Sequence, residues 1–154
     1  MAVTASPDVP YDVPLGEWSG TCEFRLMPTD AFVGRTSTLA VTVAASGRAV
    51  VLTYTWTHPD DGPQAGTLML GVPDSSGGVS AAWVDSWHQP DVVLLTGTGR
   101  AAAAAVGYEY APGWRWEIDV VVGDGTVSMV MHNLVPERET APAARYDVMR
   151  ASWS

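Results

Sequence analysis

Residues 17–26 read EWSGTCEFRL, and their side chains alternate in character over the whole stretch. Apolar or small residues fall at the even positions and polar residues at the odd ones: Trp18, Gly20, Cys22, Phe24 and Leu26 alternate with Glu17, Ser19, Thr21, Glu23 and Arg25. Successive side chains of a strand point to opposite faces, so a period of two predicts a β-strand with one buried face. This stretch indicates the fold class, because the same alternation returns along the rest of the chain.

The alternating segments are separated by clusters of turn-forming residues such as Gly, Pro, Asp and Ser. The segments are residues 36–45, 48–57, 66–72, 79–87, 92–98, 114–122, 126–134 and 145–153. The alanine run at residues 101–105 consists of the best helix former, but it lies between Gly99 and Gly107 and leads into further alternation, so we assign it to a strand. The count is about nine or ten strands, spaced as in an antiparallel sandwich or barrel.

Short turns between successive strands favour an up-and-down meander. An open meander of this size leaves two exposed edges, and closure of the sheet removes them. We therefore predict an all-β fold, an antiparallel up-and-down β-barrel of about ten strands with little helix. A barrel of this strand number is wide enough to hold one small ligand.

The length and the charge limit the function classes. A chain of 154 residues forms one domain, and we expect a flexible leader over residues 1–14 followed by the barrel domain over residues 15–154. Eight basic residues stand against 17 acidic ones, for a net charge of −9. Phosphate binding depends on Lys and Arg, so this balance argues against nucleic acids and anionic membranes as partners.

Targeting and cysteine signals are sparse. Residues 1–14 carry no basic residue and no apolar run, which is unlike a secretory signal, and no apolar stretch reaches the roughly 20 residues that span a bilayer. The single cysteine, Cys22, excludes an internal disulfide and a cysteine-based zinc cluster. We expect a cytoplasmic protein and leave a homodimer open.

The first and last strands carry a family resemblance. Gly16-Glu17-Trp18 opens the first strand and Arg150 lies on the last, which resembles the calycin signature of lipocalins and fatty-acid-binding proteins. The resemblance implies a calycin-like barrel in which Arg150 packs across Trp18 at the closed end, an arrangement that an indole and a guanidinium favour. Residues 83–88, residues 129–133 and Tyr146 also resemble an uncharacterised bacterial lipocalin-like family of unknown function, over about residues 15–153.

A fainter similarity points to nitrobindin-type haem barrels. Residues 16–20 and 27–29 resemble their opening, and that family implies haem held by a histidine near the C-terminus. Here Cys22 and Phe24 replace small residues, and residues 145–153 contain no histidine. His88 and His132 remain as ligands, but their spacing does not favour haem, so we expect no cofactor and no metal site.

Asp85 is the strongest candidate for chemistry because it lies between Trp83 and Trp87 on one strand face. If that face points inward, an unpaired carboxylate among indoles costs several kcal/mol, and such environments are typical of general acids and bases. The alternative is that the face points outward or that an arginine pairs with Asp85. His88 is predicted at the barrel mouth, where it contacts a ligand or is satisfied by turn backbone.

The aromatic load is the strongest hint of ligand binding. Seven tryptophans and five tyrosines suit a cavity that is apolar along its walls and hydrogen-bonds at chosen points, although they could also fill a solid core. The predicted ligand-binding residues are Tyr54, Trp56, Trp83, Asp85, Trp87, His88, Trp116, Met129, Met131 and His132. His58, which precedes Pro59, is predicted to be a solvated turn residue.

The leading functional hypothesis is a carrier or sensor that encloses a small apolar or aromatic ligand. The first alternative is an enzyme of the cyclase or isomerase type, with Asp85 as the acid–base group and His88 as its helper. The second alternative is a haem-binding barrel.

Overall fold

A computed structural model describes residues 11–154, which form ten antiparallel strands closed into one barrel. The strands are β1 (Gly16–Phe24), β2 (Val33–Ala44), β3 (Ala49–His58), β4 (Gly62–Gly71), β5 (Gly78–Asp85), β6 (Gln89–Arg100), β7 (Ala103–Ala111), β8 (Trp114–Gly123), β9 (Thr126–Val135) and β10 (Ala144–Trp153). Each strand pairs with its neighbours in the chain, and β1 pairs with β10. The predicted up-and-down barrel is confirmed, and its architecture is consistent with a calycin-like fold.

The alternation that predicts the strands also separates the inside of the barrel from the outside. Cys22 and Phe24 of β1 are buried in the core, whereas Glu17 and Ser19 are exposed. The alanine run at residues 101–105 lies partly in a turn and partly in a strand: residues 101–102 form the β6–β7 turn and residues 103–105 begin β7. The only helical turn in residues 11–154 is a short 3-10 segment, Ala45–Gly47.

Antiparallel order places alternate loops at opposite ends of the barrel. Residues 25–32, 59–61, 86–88, 112–113 and 136–143 form one end, which we call the mouth. The other end, which we call the closed end, is covered by Tyr11 and Val13, both buried against apolar side chains such as Leu52. The Tyr11 hydroxyl donates to the carbonyl of Gly71 at 3.0 Å. The leader was predicted over residues 1–14. Residues 1–10 lie outside the described residues, whereas Tyr11 and Val13 pack against the barrel.

The predicted contact between Arg150 and Trp18 is absent. A β-bulge between Asp147 and Met149 shifts the register of β10, so that Val148 and Met149 are both buried and Arg150 points to the outer face. There its guanidinium lies 4.2 Å from the centroid of the Phe32 ring and its Nε donates to the Asp147 carboxylate at 2.8 Å. The sequence pattern assumed uniform alternation along β10, and one extra residue reverses it.

Among residues 11–154 we find no helix with the length and hydropathy that a membrane crossing needs.

The outward position of Arg150 predicts that it is not coupled to Trp18. In a double-mutant cycle of Trp18→Ala and Arg150→Ala, the coupling free energy from urea unfolding should lie within about 0.5 kcal/mol of zero, because the side chains do not touch. The matched cycle of Phe32→Ala and Arg150→Ala should give about 0.5–1 kcal/mol, as expected for an exposed cation–π pair. A Trp18–Arg150 coupling free energy above about 1 kcal/mol would show that the two side chains touch, and it would contradict the outward position of Arg150.

Candidate functional site

The Asp85 carboxylate lies at the end of β5, points into the barrel and has 0% exposure. Its Oδ2 accepts hydrogen bonds from the Tyr54 hydroxyl at 2.7 Å and the Trp56 indole N–H at 3.1 Å. Its Oδ1 accepts the backbone N–H groups of Trp87 and His88, both at 3.0 Å. Four donors thus offset the cost of burying this carboxylate.

No arginine pairs with Asp85 in the part of the chain that the structure describes. The network continues instead through Tyr54, whose hydroxyl accepts the Trp83 indole N–H at 2.9 Å. Burial and the nearby Asp85 charge raise the pKa of Tyr54 well above its usual value. Gly66 makes room for this pair, because an added Cβ there would overlap the Tyr54 hydroxyl.

The two hydrogen bonds at Oδ1 fix the turn that follows β5. An Asp side chain that accepts N–H groups two and three residues ahead stabilises a turn, and here that turn directs Trp87 and His88 over the mouth. The Trp87 indole N–H donates to the Asp61 carboxylate at 2.7 Å. Asp85 therefore positions two aromatic side chains from below, and Asp61 holds one of them from the rim.

His58 is buried, contrary to the predicted solvated turn residue. Its Nδ1 accepts the N–H groups of Asp60 and Asp61 at 3.1 Å each, and its ring stacks on Trp87 at 4.5 Å between centroids. Phe24 packs on the same imidazole at 4.9 Å. The imidazole caps the β3–β4 turn, a role that the local sequence His-Pro-Asp-Asp does not reveal.

His88 lies among the aromatic rings of the mouth. Its imidazole stacks on Trp56 at 4.9 Å and 18° and lies 5.1 Å from the Trp116 ring. Its Nε2 is 3.1 Å from the Met149 sulfur, and because a thioether only accepts, this nitrogen carries the proton. Burial lowers the pKa of His88 to about 4, although the Asp85 charge opposes this shift, so the ring is neutral at pH 7.

A cavity of about 310 Å³ opens at the mouth above His88. Its walls are mostly aromatic, and its lining contains no Asp, Glu, Lys or Arg: Leu26, Met27, Trp83, Trp87, His88, Gln89, Tyr108, Tyr110, Trp116, Asn133, Tyr146 and Val148. The volume lies at the lower end of the range of small-molecule sites, roughly 300–1,000 Å³. We call this space the mouth cavity.

Hydrogen bonds hold the far wall of the mouth cavity. The Tyr108 hydroxyl donates to Gln89 Oε1 at 2.7 Å, and the Tyr110 hydroxyl donates to Asn133 Oδ1 at 2.7 Å. Asn133 in turn donates to the Tyr146 hydroxyl at 3.1 Å. These bonds join β6 to β7 and β7 to β9 and β10, and therefore order side chains that would otherwise rotate freely.

One polar atom of the cavity wall lacks a partner. The indole N–H of Trp116 is buried and makes no hydrogen bond, and within residues 11–154 it is alone in this among buried side-chain nitrogens and oxygens. Its ring is stacked on Trp83 at 5.9 Å and 10°. An unpaired buried donor costs the folded protein about 1–3 kcal/mol.

The predicted site residues divide into three groups. Trp83, Trp87, His88 and Trp116 line the mouth cavity. Tyr54, Trp56, Asp85, Met129 and Met131 are buried in the core beside or beneath that wall. His132 belongs to neither of these two groups. It follows Met131 on β9, so its side chain points to the outer face of the barrel whereas Met129 and Met131 point inward.

His132 lies on the outer face of β9 between two carboxylates. Its Nδ1 is 3.0 Å from Asp147 Oδ1 and its Nε2 is 3.0 Å from Asp119 Oδ2. Arg145, paired with Glu117 at 3.2 Å, flanks this cluster. The structure therefore corrects the assignment of His132 to the ligand site. No group of three His, Cys, Asp or Glu side chains in residues 11–154 is arranged to hold a metal ion.

Sequence reasoning missed Gln89, Tyr108, Tyr110, Asn133 and Tyr146 as cavity residues. Tyr108 and Tyr110 share one face of an alternating strand, which is a signal that could have placed them on the barrel wall. The pairing of Tyr110 with Asn133 joins strands that are distant in sequence. Only the register of β8 between them brings these two side chains together.

No protein-family profile matches the sequence, and no curated protein matches it.

The network predicts that Asp85→Asn destabilises the protein. The amide nitrogen would face two donors where a carboxylate oxygen now accepts from them, so the free energy of unfolding should fall by about 2–3 kcal/mol. Urea unfolding measures this fall. The matched control is Asp124→Asn in the exposed β8–β9 turn, which should stay within about 0.5 kcal/mol of the parent. Equal stability of the two variants would contradict the four-donor network.

Burial of neutral His88 predicts a loss of stability in acid. The unfolded chain takes up a proton near pH 6.5 but the folded chain only near pH 4, so the free energy of unfolding falls as the pH drops through this window. The loss is on the order of 2–3 kcal/mol by pH 4. His88→Phe keeps the ring and removes the titration, and its urea midpoint should fall less between pH 7 and pH 4. Parallel pH profiles would contradict the burial of neutral His88.

Proposed function

We propose that the protein binds a small molecule in the mouth cavity. The observation that supports this most strongly is the combination of about 310 Å³ of space with an aromatic wall whose rings are fixed by hydrogen bonds. Binding sites that are already formed lose little free energy to ordering, so rigid aromatic walls favour ligand affinity.

The hydrogen bonds of Asp85 favour binding over acid–base catalysis. Each of its oxygens already accepts from two protein donors, and the side chain has 0% exposure. A general acid or base must reach a substrate atom directly or through one water. Asp85 therefore fits a positioning role, and the cyclase or isomerase hypothesis loses its proposed catalytic group.

The histidines do not fit a haem site. His132 lies on the outer face with both ring nitrogens beside carboxylates. His88 directs its Nε2 proton at the Met149 sulfur. Neither imidazole is therefore placed to bind haem iron.

Membership of the uncharacterised lipocalin-like family is also part of this proposal. It is supported by the closed ten-strand antiparallel barrel and by the position of residues 83–88 at the mouth. The cytoplasmic location and the homodimer stay predictions from the sequence.

Binding of the neutral dye Nile red tests the proposed function. The parent protein should increase the dye fluorescence with saturation, because the aromatic cavity removes the dye from water. Leu26→Trp adds a ring at the rim of the cavity and should weaken binding about tenfold or more, which corresponds to about 1.4 kcal/mol. The matched control is Leu94→Trp on the outer face, where Leu94 is 79% exposed.

The control should bind the dye as the parent does. Absence of saturable binding, or equal loss in both variants, would contradict a site at the mouth. Circular dichroism of each variant verifies that the barrel is folded.

A further inference from the structure

The charges around the mouth cavity indicate the sign of the charge on its ligand. This inference rests on the proposed function. We propose that the mouth cavity recognises an organic cation, such as a substituted ammonium group attached to an apolar body, through the faces of its aromatic rings.

The cavity wall is formally neutral and rich in aromatic rings. The six rings are Trp83, Trp87, Tyr108, Tyr110, Trp116 and Tyr146. Ring faces carry negative charge density and attract a cation within about 6 Å of the centroid. Assemblies of several such rings are suited to ammonium groups that carry too many methyl groups to donate hydrogen bonds.

A carboxylate lies directly behind this wall. Asp85 accepts the backbone N–H groups of Trp87 and His88, so its charge is one residue layer from the cavity, and no arginine of residues 11–154 pairs with it. Its four partners are neutral hydrogen-bond donors. They stabilise the carboxylate, but they leave its net charge in place. In a low-dielectric wall this charge favours a cation in the cavity.

The rim adds negative charge. Trp87 donates its indole N–H to the Asp61 carboxylate at 2.7 Å, which increases the electron density of the ring that faces the ligand. The mouth loops carry five acidic residues against two arginines, a net charge of −3: Asp30, Asp60, Asp61, Glu137 and Glu139 against Arg25 and Arg138. This field attracts cations to the mouth.

An anionic ligand would find no counter-charge. The basic side chains of the chain are all arginines, and none lines the mouth cavity. In the mouth loops, Arg25 donates to the carbonyls of Asp147 and Pro28, and Arg138 lies over Trp114. Burial keeps the pKa of His88 near 4, so the imidazole adds no positive charge at neutral pH. A free carboxylate lipid, which needs such a charge, is therefore disfavoured.

Three probes of matched shape test the sign of the charge: benzyltrimethylammonium, its neutral carbon isostere neopentylbenzene, and the anion benzylsulfonate. Each competes with Nile red at pH 7. We expect the cation to displace the dye at a concentration about tenfold lower than the neutral isostere, and the anion to displace it least. Equal displacement by the cation and the isostere, or preference for the anion, would overturn the proposal.

Two variants assign the effect to the mouth. Asp60→Asn removes one charge from the mouth at an exposed residue of which only the backbone N–H is hydrogen-bonded within residues 11–154, so it should weaken binding of the cation about twofold and leave the neutral isostere unchanged, because only the cation senses the charge. Asp124→Asn removes the same charge at the closed end and should change neither. Equal loss of the cation and the isostere in Asp60→Asn, or an unchanged affinity for the cation, would contradict the charge argument.

The outcomes separate this inference from the proposed function. If Nile red binds and Leu26→Trp blocks it, but the three probes compete without regard to charge, the cavity stands and cation recognition is rejected. If Nile red does not bind and direct titration with benzyltrimethylammonium gives no heat, both proposals fail.

Discussion

The Asp85 carboxylate is the interaction on which the mouth of the barrel depends. A buried carboxylate is stable only if its oxygens are occupied, and here two side-chain donors come from β3 and two backbone donors come from the turn after β5. The same bonds that satisfy the charge place Trp87 and His88 above the core. Removal of the charge would therefore release the turn, and the cavity wall would lose its shape.

The two ends of the barrel differ in how tightly they are packed. Tyr11 and Val13 cover the closed end and leave only about 10 Å³ beneath them, and the interior between the ends is filled by buried tryptophan, methionine and leucine side chains. Dense packing of this kind leaves little space for a ligand deep in the barrel. A cavity of about 310 Å³ lies at the mouth, where aromatic residues from several strands converge and the loops can vary. The proposed binding site therefore lies above a rigid base.

Side-chain alternation predicted the strands and the barrel, because a period of two is a local property of the backbone, but it left open which face of the strand with Trp83 points inward. The outward turn of Arg150 could not be predicted, since the bulge in β10 depends on its pairing with β9. The prediction that His58 is solvated was wrong for a related reason, because its burial depends on Phe24 of β1 and on Trp87 in the turn after β5. The local sequence pattern predicts where strands lie and which of their residues share a face. The composition of a site also depends on the register between neighbouring strands, which the local pattern does not contain.

The most direct test of the account is a titration followed by two-dimensional NMR of labelled protein with benzyltrimethylammonium. A ligand in the mouth cavity should shift the indole N–H signals of Trp87 and Trp116, and should leave the backbone signals of Leu52, near the closed end, unchanged. The buried Asp85 should also keep the amide protons of Trp87 and His88 protected from exchange. Shifts confined to the closed end or the outer face, or fast exchange of those two amides, would contradict the central claim.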